Sequence, residues 1–266
     1  MPLVTILLVV LGFFAGMLGA LTGIGGGVLL TPILALHFGI PIREAIGTSL
    51  VAVITTSAAS SSVHLQRHTT DIRLGMTLEL ATAFGAALMA YLVGYFNRNA
   101  LQGLFAGFLL YSAITILIRR GKVKPEESSP ALNRETVIPP YEPKNYPLGL
   151  SASLVAGALS GLLGIGGGPI KVPVMYIFMN VPLMVATATS NFMIGVTAAA
   201  SAIVYYRRGD ILVQYAAPLA VGVFLGSLLG ARLAPRIHTK YVMYLLVSIM
   251  LYLSAHLFFD LLRGRL

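Results

Sequence analysis

The sequence has no cysteine and few charged residues. Without cysteine the chain cannot form disulfides, thiolate metal sites or cysteine redox centres. Only 10% of its 266 residues are charged, whereas 57% are hydrophobic and the mean hydropathy is +0.86. No soluble globular domain has this composition, and several continuous apolar runs of about 20 residues predict an all-α, polytopic membrane protein. Because these runs do not alternate apolar with polar residues, they exclude a β-barrel.

The charge that is present is mostly basic, with a formal net charge of +9. A basic chain suits a nucleic-acid partner, but nearly all of its Lys and Arg residues lie in short connections between apolar runs. Membrane topology accounts for basic residues in such connections, so no nucleic acid is expected. The first apolar run has no basic residue before it and no convincing cleavage site. We expect it to remain as the first membrane helix.

A glycine cluster, Gly-Ile-Gly-Gly-Gly, occurs at 23–27 and again at 164–168. A long apolar segment precedes each cluster and a short one follows it. Glycine lacks a Cβ and weakens helices, so each cluster predicts irregular backbone that can closely approach something else. The sequence therefore predicts two broken helices, each followed by a half-helix.

Ten apolar segments are expected along the chain. They are 3–21, 28–37, 45–63, 74–96, 101–118, 148–163, 170–179, 183–206, 211–234 and 241–262. The segments 28–37 and 170–179 are too short to span a bilayer of about 30 Å, so the prediction is eight to ten membrane segments.

The two halves match in register over a long stretch, which predicts an internal duplication. Pro32 matches Pro173 and Pro41 matches Pro182 at the same offset as the glycine clusters. The expected units are a first membrane repeat at 1–118, a polar cytoplasmic linker at 119–146 and a second membrane repeat at 147–266. The distribution of Lys and Arg fits either inverted or parallel repeats. Inversion is favoured because transporters often combine it with broken helices.

The glycine clusters are interpreted as an anion site. Backbone freed from helical pairing exposes N–H groups, and a half-helix presents the positive end of its dipole. The proposed contacts are Gly23, Gly25, Gly26, Gly27, Gly164, Gly166, Gly167 and Gly168. The alternative is that these glycines only allow close helix packing. That is the role expected of Gly12, Gly16, Gly103, Gly107, Gly222, Gly226 and Gly230.

Hydroxyl and amide side chains follow each half-helix. Thr48, Ser49, Thr189, Ser190 and Asn191 could donate hydrogen bonds to an oxyanion without placing a charge in the membrane. Alternatively, such side chains bond to their own backbone.

Four charged residues are candidates for a role in transport. Lys171, three residues after the second cluster, could attract the anion or could extend to the interface. Glu79 is a candidate for proton coupling, unless its segment starts deeper and leaves it at the interface. Asp71 and Asp210 are further coupling candidates, although capping of the following helices is favoured for both.

No motif predicts an enzyme. Position 28 is valine, and a membrane helix precedes the first cluster, so a dinucleotide-binding fingerprint is rejected. The sequence contains no Gly-x-Ser-x-Gly, His-Glu-x-x-His or P-loop motif, and we expect no metal and no cofactor. His64 and His68 are expected in a connecting loop.

The double glycine motif with its prolines, together with Thr48-Ser49 and Thr189-Ser190-Asn191, resembles the sulfite exporter TauE/SafE family, also called 4-toluene sulfonate uptake permeases. The resemblance covers essentially the whole chain. It implies a multi-pass secondary carrier of the inner membrane for small sulfur-containing or organic anions. Alternating access is the expected mechanism, with proton coupling through Glu79 or an aspartate.

Three alternatives stay open at this point. The same half-helices could line an anion channel, or the chain could be a scaffold or assembly factor that transports nothing. The Gly-x-x-x-Gly ridges are compatible with a homodimer and equally with packing inside one chain.

Overall fold

The chain is helical throughout the part that the structure describes. This computed structural model describes residues 2–120, 141–234, 236, 237 and 239–263, which form ten α-helices and no strand. The helices are α1 (Pro2–Thr22), α2 (Gly27–His37), α3 (Ile42–Gln66), α4 (Ile72–Leu92), α5 (Arg98–Arg120), α6 (Tyr146–Leu163), α7 (Gly168–Pro173), α8 (Leu183–Arg207), α9 (Val213–Leu233) and α10 (Thr239–Arg263). A 3₁₀ turn, Val93–Tyr95, extends α4, and a π-helical turn, Val174–Phe178, continues α7.

Eight of the described helices are long and apolar enough to cross a membrane. The other two are α2, with 11 residues, and α7 with its π turn. Each follows one of the glycine clusters. The prediction of a polytopic helical membrane protein with eight to ten segments is therefore confirmed.

Proline, aspartate and glycine set the helix ends. Pro41 and Pro182 have extended ψ angles of 137° and 141° and precede α3 and α8. Asp71 caps α4, because its Oδ1 accepts a hydrogen bond from the Leu74 N–H at 2.9 Å. Gly164 ends α6 with a φ of +70°, a conformation that costs glycine little.

Glycines let two helix pairs pack with their backbones almost in contact. On α1 and α9, a Cβ at Gly16 would overlap the Val223 backbone, and one at Gly226 would overlap the Phe13 backbone. On α4 and α6, Gly157 lies in the same way against Thr82. The packing role expected of Gly12, Gly16, Gly222, Gly226 and Gly230 is confirmed.

The same expectation is wrong for Gly107, because no atom of the described chain lies within 4 Å of a Cβ built there. At Gly103 only the Leu261 side chain comes near, at 3.6 Å. Both glycines lie on α5, which packs mainly on α10. A homodimer stays a prediction.

The helices run in two opposed sets, as the residues in contact reveal. Gly12 faces Leu219 and Gly16 faces Val223, so α1 and α9 run in the same direction. In the pairs α3 and α9, α4 and α6, and α4 and α8, the numbers of the contacting residues also increase together. The two helices of each pair therefore run in the same direction. Because Gly47 faces Tyr205 whereas Ser57 bonds to Asn191, α3 and α8 are antiparallel.

It follows that α1 and α6, which begin the two predicted repeats, run in opposite directions. The same holds for α3 and α8 and for α4 and α9. This is the arrangement expected of inverted repeats. The duplication itself stays a prediction.

Most of the predicted linker at 119–146 lies outside the described residues. Its end runs over the last turn of the α7 segment. The Lys144 N–H donates to the Met179 carbonyl at 3.0 Å, and the Asn145 Nδ2 donates to the Phe178 carbonyl at 2.8 Å.

Candidate functional site

The two glycine clusters, more than 100 residues apart in sequence, lie against each other at the centre of the bundle. A Cβ on Gly27 would overlap the carbonyl oxygen of Gly164, and a Cβ on Gly168 would overlap that of Gly23. The backbone has positive φ angles at Gly23, Gly25, Gly164, Gly166 and Gly167. Both clusters therefore need glycine, for close approach and for conformation.

The central turns leave backbone donors without a partner. Among the described residues, no hydrogen bond satisfies the N–H groups of Gly25, Gly26 and Gly27 or of Gly166, Gly167 and Gly168. These groups lie at the N-terminal ends of α2 and α7, where the helix dipole is positive. Buried N–H groups are nearly always satisfied, so water or an anion would complete these turns.

Ser49 and Ser190 brace the turns from opposite sides. The Ser190 Oγ donates to the Gly23 carbonyl at 2.8 Å, and the Ser49 Oγ lies 3.3 Å from the Gly164 carbonyl. The Thr31 hydroxyl donates to the Ser49 Oγ at 2.6 Å. Both serines were predicted to bind the anion, and in this conformation they bond to the protein backbone.

Thr48 and Thr189 hold the starts of two long helices. The Thr48 Oγ1 accepts a hydrogen bond from the Leu212 N–H at 3.1 Å, and the Thr189 Oγ1 accepts one from the Asp71 N–H at 3.0 Å. These threonines, also predicted to bind the anion, therefore position α9 and α4.

Asn191 lies in a buried polar cluster with His64. Its Nδ2 donates to the Ala20 carbonyl at 3.0 Å and lies 3.4 Å from the His64 Nε2. Its Oδ1 is buried without a partner in the described chain. The placement of His64 in a loop was wrong, because α3 continues to Gln66.

Lys171 and Glu79 form a buried ion pair. Their side chains meet with the Lys171 Nζ 3.0 Å from the Glu79 Oε2, and the two residues are 2% and 3% exposed. Thr197 completes the group, since the Lys171 Nζ donates to its Oγ1 at 2.8 Å and that hydroxyl donates to the Glu79 Oε1 at 2.6 Å. Neither Lys171 nor Glu79 extends to the surface of the described chain.

The ion pair links three elements at the start of α7. Lys171 lies in the first turn of α7, and its N–H donates to the Gly167 carbonyl at 3.1 Å. Glu79 comes from α4 and Thr197 from α8. At the offset that relates the two halves, the corresponding positions hold Leu30 and Thr56 in the first half and Ala220 in the second, so these positions form no ion pair.

The two aspartates lie away from this group. Besides capping α4, Asp71 accepts a hydrogen bond from the Tyr141 hydroxyl, and burial together with this contact raises the pKa of Tyr141. Asp210 lies in the α8–α9 loop, where an oxygen of its carboxylate is 3.4 Å from the Arg208 Nε. The cap favoured for Asp71 is confirmed. The one favoured for Asp210 is wrong, because Leu212 holds the N-cap position of α9 and no side chain of the described residues caps that helix.

Sequence reasoning missed the roles of Thr197 and His64 and the pairing of Lys171 with Glu79. The only available signal was that Lys171 and Glu79 are lone charges within apolar segments. Such charges in a membrane protein usually pair, but the sequence does not say with which partner.

We expect Ser190→Ala to lower stability, because it removes the donor to the Gly23 carbonyl. The loss of a buried hydrogen bond should cost about 1–3 kcal/mol. Thermal unfolding in detergent measures the effect, with Ser151→Ala as the control because Ser151 is exposed on α6. Equal melting temperatures for the two variants would contradict this bracing role.

The model of the sulfite exporter TauE/SafE family matches residues 8–257. The chain belongs to this family. It is 28% identical to the probable membrane transporter protein YunE of Bacillus subtilis, over 96% of this chain and 97% of that protein. It is 30% identical to a probable membrane transporter protein of Methanocaldococcus jannaschii, over 92% and 91% of the two chains. No solved structure matches.

Membership in the TauE/SafE family confirms the resemblance read from the two glycine motifs. Together with the eight apolar helices, it makes the chain a multi-pass membrane transporter. The names of the relatives specify no substrate and no coupling ion.

Proposed function

We propose that the protein is a secondary carrier for small sulfur-containing or organic anions, such as sulfite, thiosulfate and sulfonates, in the inner membrane. One observation carries the proposal: the N-terminal ends of α2 and α7 meet with unpaired N–H groups, one turn from the buried Lys171. Anions bind at such helix ends, where N–H groups and the dipole both favour negative charge. A lysine one turn away supplies a cation, which the Glu79 carboxylate neutralises in this conformation.

The working units of this carrier are two inverted repeats, 1–118 and 147–266. Two observations support this. The helices α1 and α6 run in opposite directions, and each half contributes one of the two glycine turns at the centre. Alternating access would then move the halves against each other around the glycine turns. Each conformation would open the turns to one side.

We infer that the linker side is cytoplasmic. Because α3 and α9 run in one direction and α4 and α6 in the other, the α3–α4 connection, the end of the linker that enters α6 and the α9–α10 connection share one side. This side carries Arg67, Arg73, Arg232 and Arg236 besides the basic residues of the linker at 119–146. An excess of Lys and Arg marks the cytoplasmic face.

A carrier is favoured over a channel because the centre is closed. The two turns are in backbone contact, and the ion pair beside them is almost fully buried. A channel would instead need a continuous passage beside these residues. Saturable exchange of anions in liposomes would separate the two mechanisms.

Thermal stabilisation of the purified protein tests the anion site. The panel contains sulfite, thiosulfate, sulfate, taurine, sulfoacetate, methanesulfonate, toluenesulfonate and chloride. We expect a selective rise in melting temperature with one class of sulfur oxyanion, because a ligand that binds only the folded state stabilises it. Lys171→Met should remove the rise, whereas Lys144→Met should keep it, because Lys144 is exposed.

Two outcomes would contradict the proposal. A flat panel with well-folded protein would favour the scaffold or assembly function, and an unchanged rise in Lys171→Met would remove Lys171 from the site. In a scaffold, Gly25→Ala should harm folding alone.

A further inference from the structure

We propose that the transported anion competes with Glu79 for Lys171, so that each anion crosses together with one proton. This inference rests on the proposed function and adds its coupling ion and the charge of its substrate. The group that carries it consists of Lys171, Glu79 and Thr197.

The Glu79 carboxylate already occupies the position of an oxyanion. One oxygen accepts from the Lys171 Nζ at 3.0 Å, and the other accepts from the Thr197 hydroxyl at 2.6 Å. A sulfonate or sulfite offers the same chemistry, because its oxygens carry negative charge and accept hydrogen bonds from ammonium and hydroxyl groups. The ion pair is therefore the substrate-free form of the site.

The balance of charge fixes what happens when the anion binds. With Lys171 protonated and Glu79 ionised, the buried group has a net charge of zero. An anion that takes Lys171 displaces the carboxylate and would leave the site with one uncompensated negative charge. Burying such a charge is costly, so the displaced carboxylate binds a proton and the total returns to zero. One anion and one proton enter, and both leave on the other side.

The surroundings make Glu79 the proton acceptor. The helices packed against α4 are mainly α6 and α8, and α7 supplies Lys171. Facing Glu79, α8 contributes Thr197, which does not titrate at physiological pH, and α6 packs on α4 through Gly157 and Gly161. Asp71 is the acid nearest to Glu79 in sequence on the described chain. It lies at the N-terminal end of α4, where it accepts a hydrogen bond from the Tyr141 hydroxyl.

The same balance selects the charge of the cargo. A monoanion with one proton keeps the site neutral, whereas a dianion leaves one negative charge even after Glu79 is protonated. Methanesulfonate, which is always a monoanion at neutral pH, should therefore be carried in preference to sulfate and thiosulfate, which are dianions. The inference thus narrows the proposed substrates to monoanions.

Transport in liposomes with Glu79→Gln tests the coupling. The glutamine keeps the shape and the hydrogen-bonding oxygen but cannot exchange a proton. The probes are methanesulfonate and sulfite, each measured both in exchange against the same anion and in accumulation driven by an imposed pH gradient. We expect the unaltered protein to do both. In Glu79→Gln the ratio of pH-driven accumulation to exchange should fall at least tenfold. Glu142→Gln, at an exposed position, should behave like the unaltered protein.

A second measurement needs no variant, in case Glu79→Gln does not fold. A pH dye trapped inside liposomes should report about one proton per methanesulfonate taken up by the unaltered protein. Clamping the membrane potential should not change the rate, because the step is electroneutral.

The outcomes separate the two proposals. Exchange without proton movement, or pH-driven accumulation that survives in Glu79→Gln, would overturn the coupling and leave the carrier intact. The absence of exchange with every anion of the panel would overturn the proposed function and the coupling with it.

Discussion

Gly27→Ala is expected to abolish transport and to reduce sharply the amount of folded protein. The added Cβ would overlap both the Gly164 carbonyl and the Val53 side chain. Overpacking a core costs about 1–3 kcal/mol and occasionally more. We expect the upper end, because the obstructing carbonyl belongs to a backbone that cannot rotate away. Size-exclusion profiles in detergent and thermal unfolding measure the effect.

Two companion variants make this result specific. Gly168→Ala, in the other half, should be equally damaging because its Cβ would overlap the Gly23 carbonyl. Gly107→Ala should raise stability by up to about 1 kcal/mol, because alanine favours a helix more than glycine does and the position is open. If Gly27→Ala melted like Gly107→Ala, the two turns would not be in contact.

Lys171→Met should destabilise the protein strongly, and adding Glu79→Gln should restore most of the loss. Removing one partner of a buried ion pair leaves an uncompensated charge and costs about 3–5 kcal/mol. Neutralising the second partner removes that cost, since neither group is then charged. The melting temperatures of the two single variants and of the double variant form a complete thermodynamic cycle.

Asp210→Asn provides the matched control for this cycle. Its pair with Arg208 is partly exposed, with side-chain exposures of 29% for Arg208 and 20% for Asp210, so its loss should cost about 0–1 kcal/mol. Additive effects of Lys171→Met and Glu79→Gln would show that the two residues do not act as a pair. Melting temperatures alone therefore decide whether Lys171 and Glu79 are coupled.

The helical membrane fold could be predicted from the sequence because each span is encoded locally. An apolar run of sufficient length predicts a helix whatever lies around it. The half-helices could also be predicted, because glycine clusters and short segments coincide in both halves. The C-terminal end of α3 was misplaced because polar residues such as Ser61, Ser62 and His64 weaken the hydropathy signal, although the helix continues through them.

The candidate site was predicted only as separate residues. Lys171 and Glu79 are 92 positions apart, and nothing local in either segment indicates that they meet. The hydroxyls after the half-helices were predicted to bind the anion, and that role stays a prediction. In this conformation Ser49, Ser190, Thr48 and Thr189 each bond to backbone of the opposite half. Such bonds depend on tertiary packing, which a single sequence does not display.

The mutual bracing of the two turns has a consequence for synthesis of the protein. Ser49 is 115 positions before the Gly164 carbonyl that it contacts, and Ser190 is 167 positions after the Gly23 carbonyl that it supports. When the first half enters the membrane, its turn therefore has no partner, and it stays incomplete until α8 has left the ribosome. The centre of the transporter therefore cannot be completed while only the first half is in the membrane.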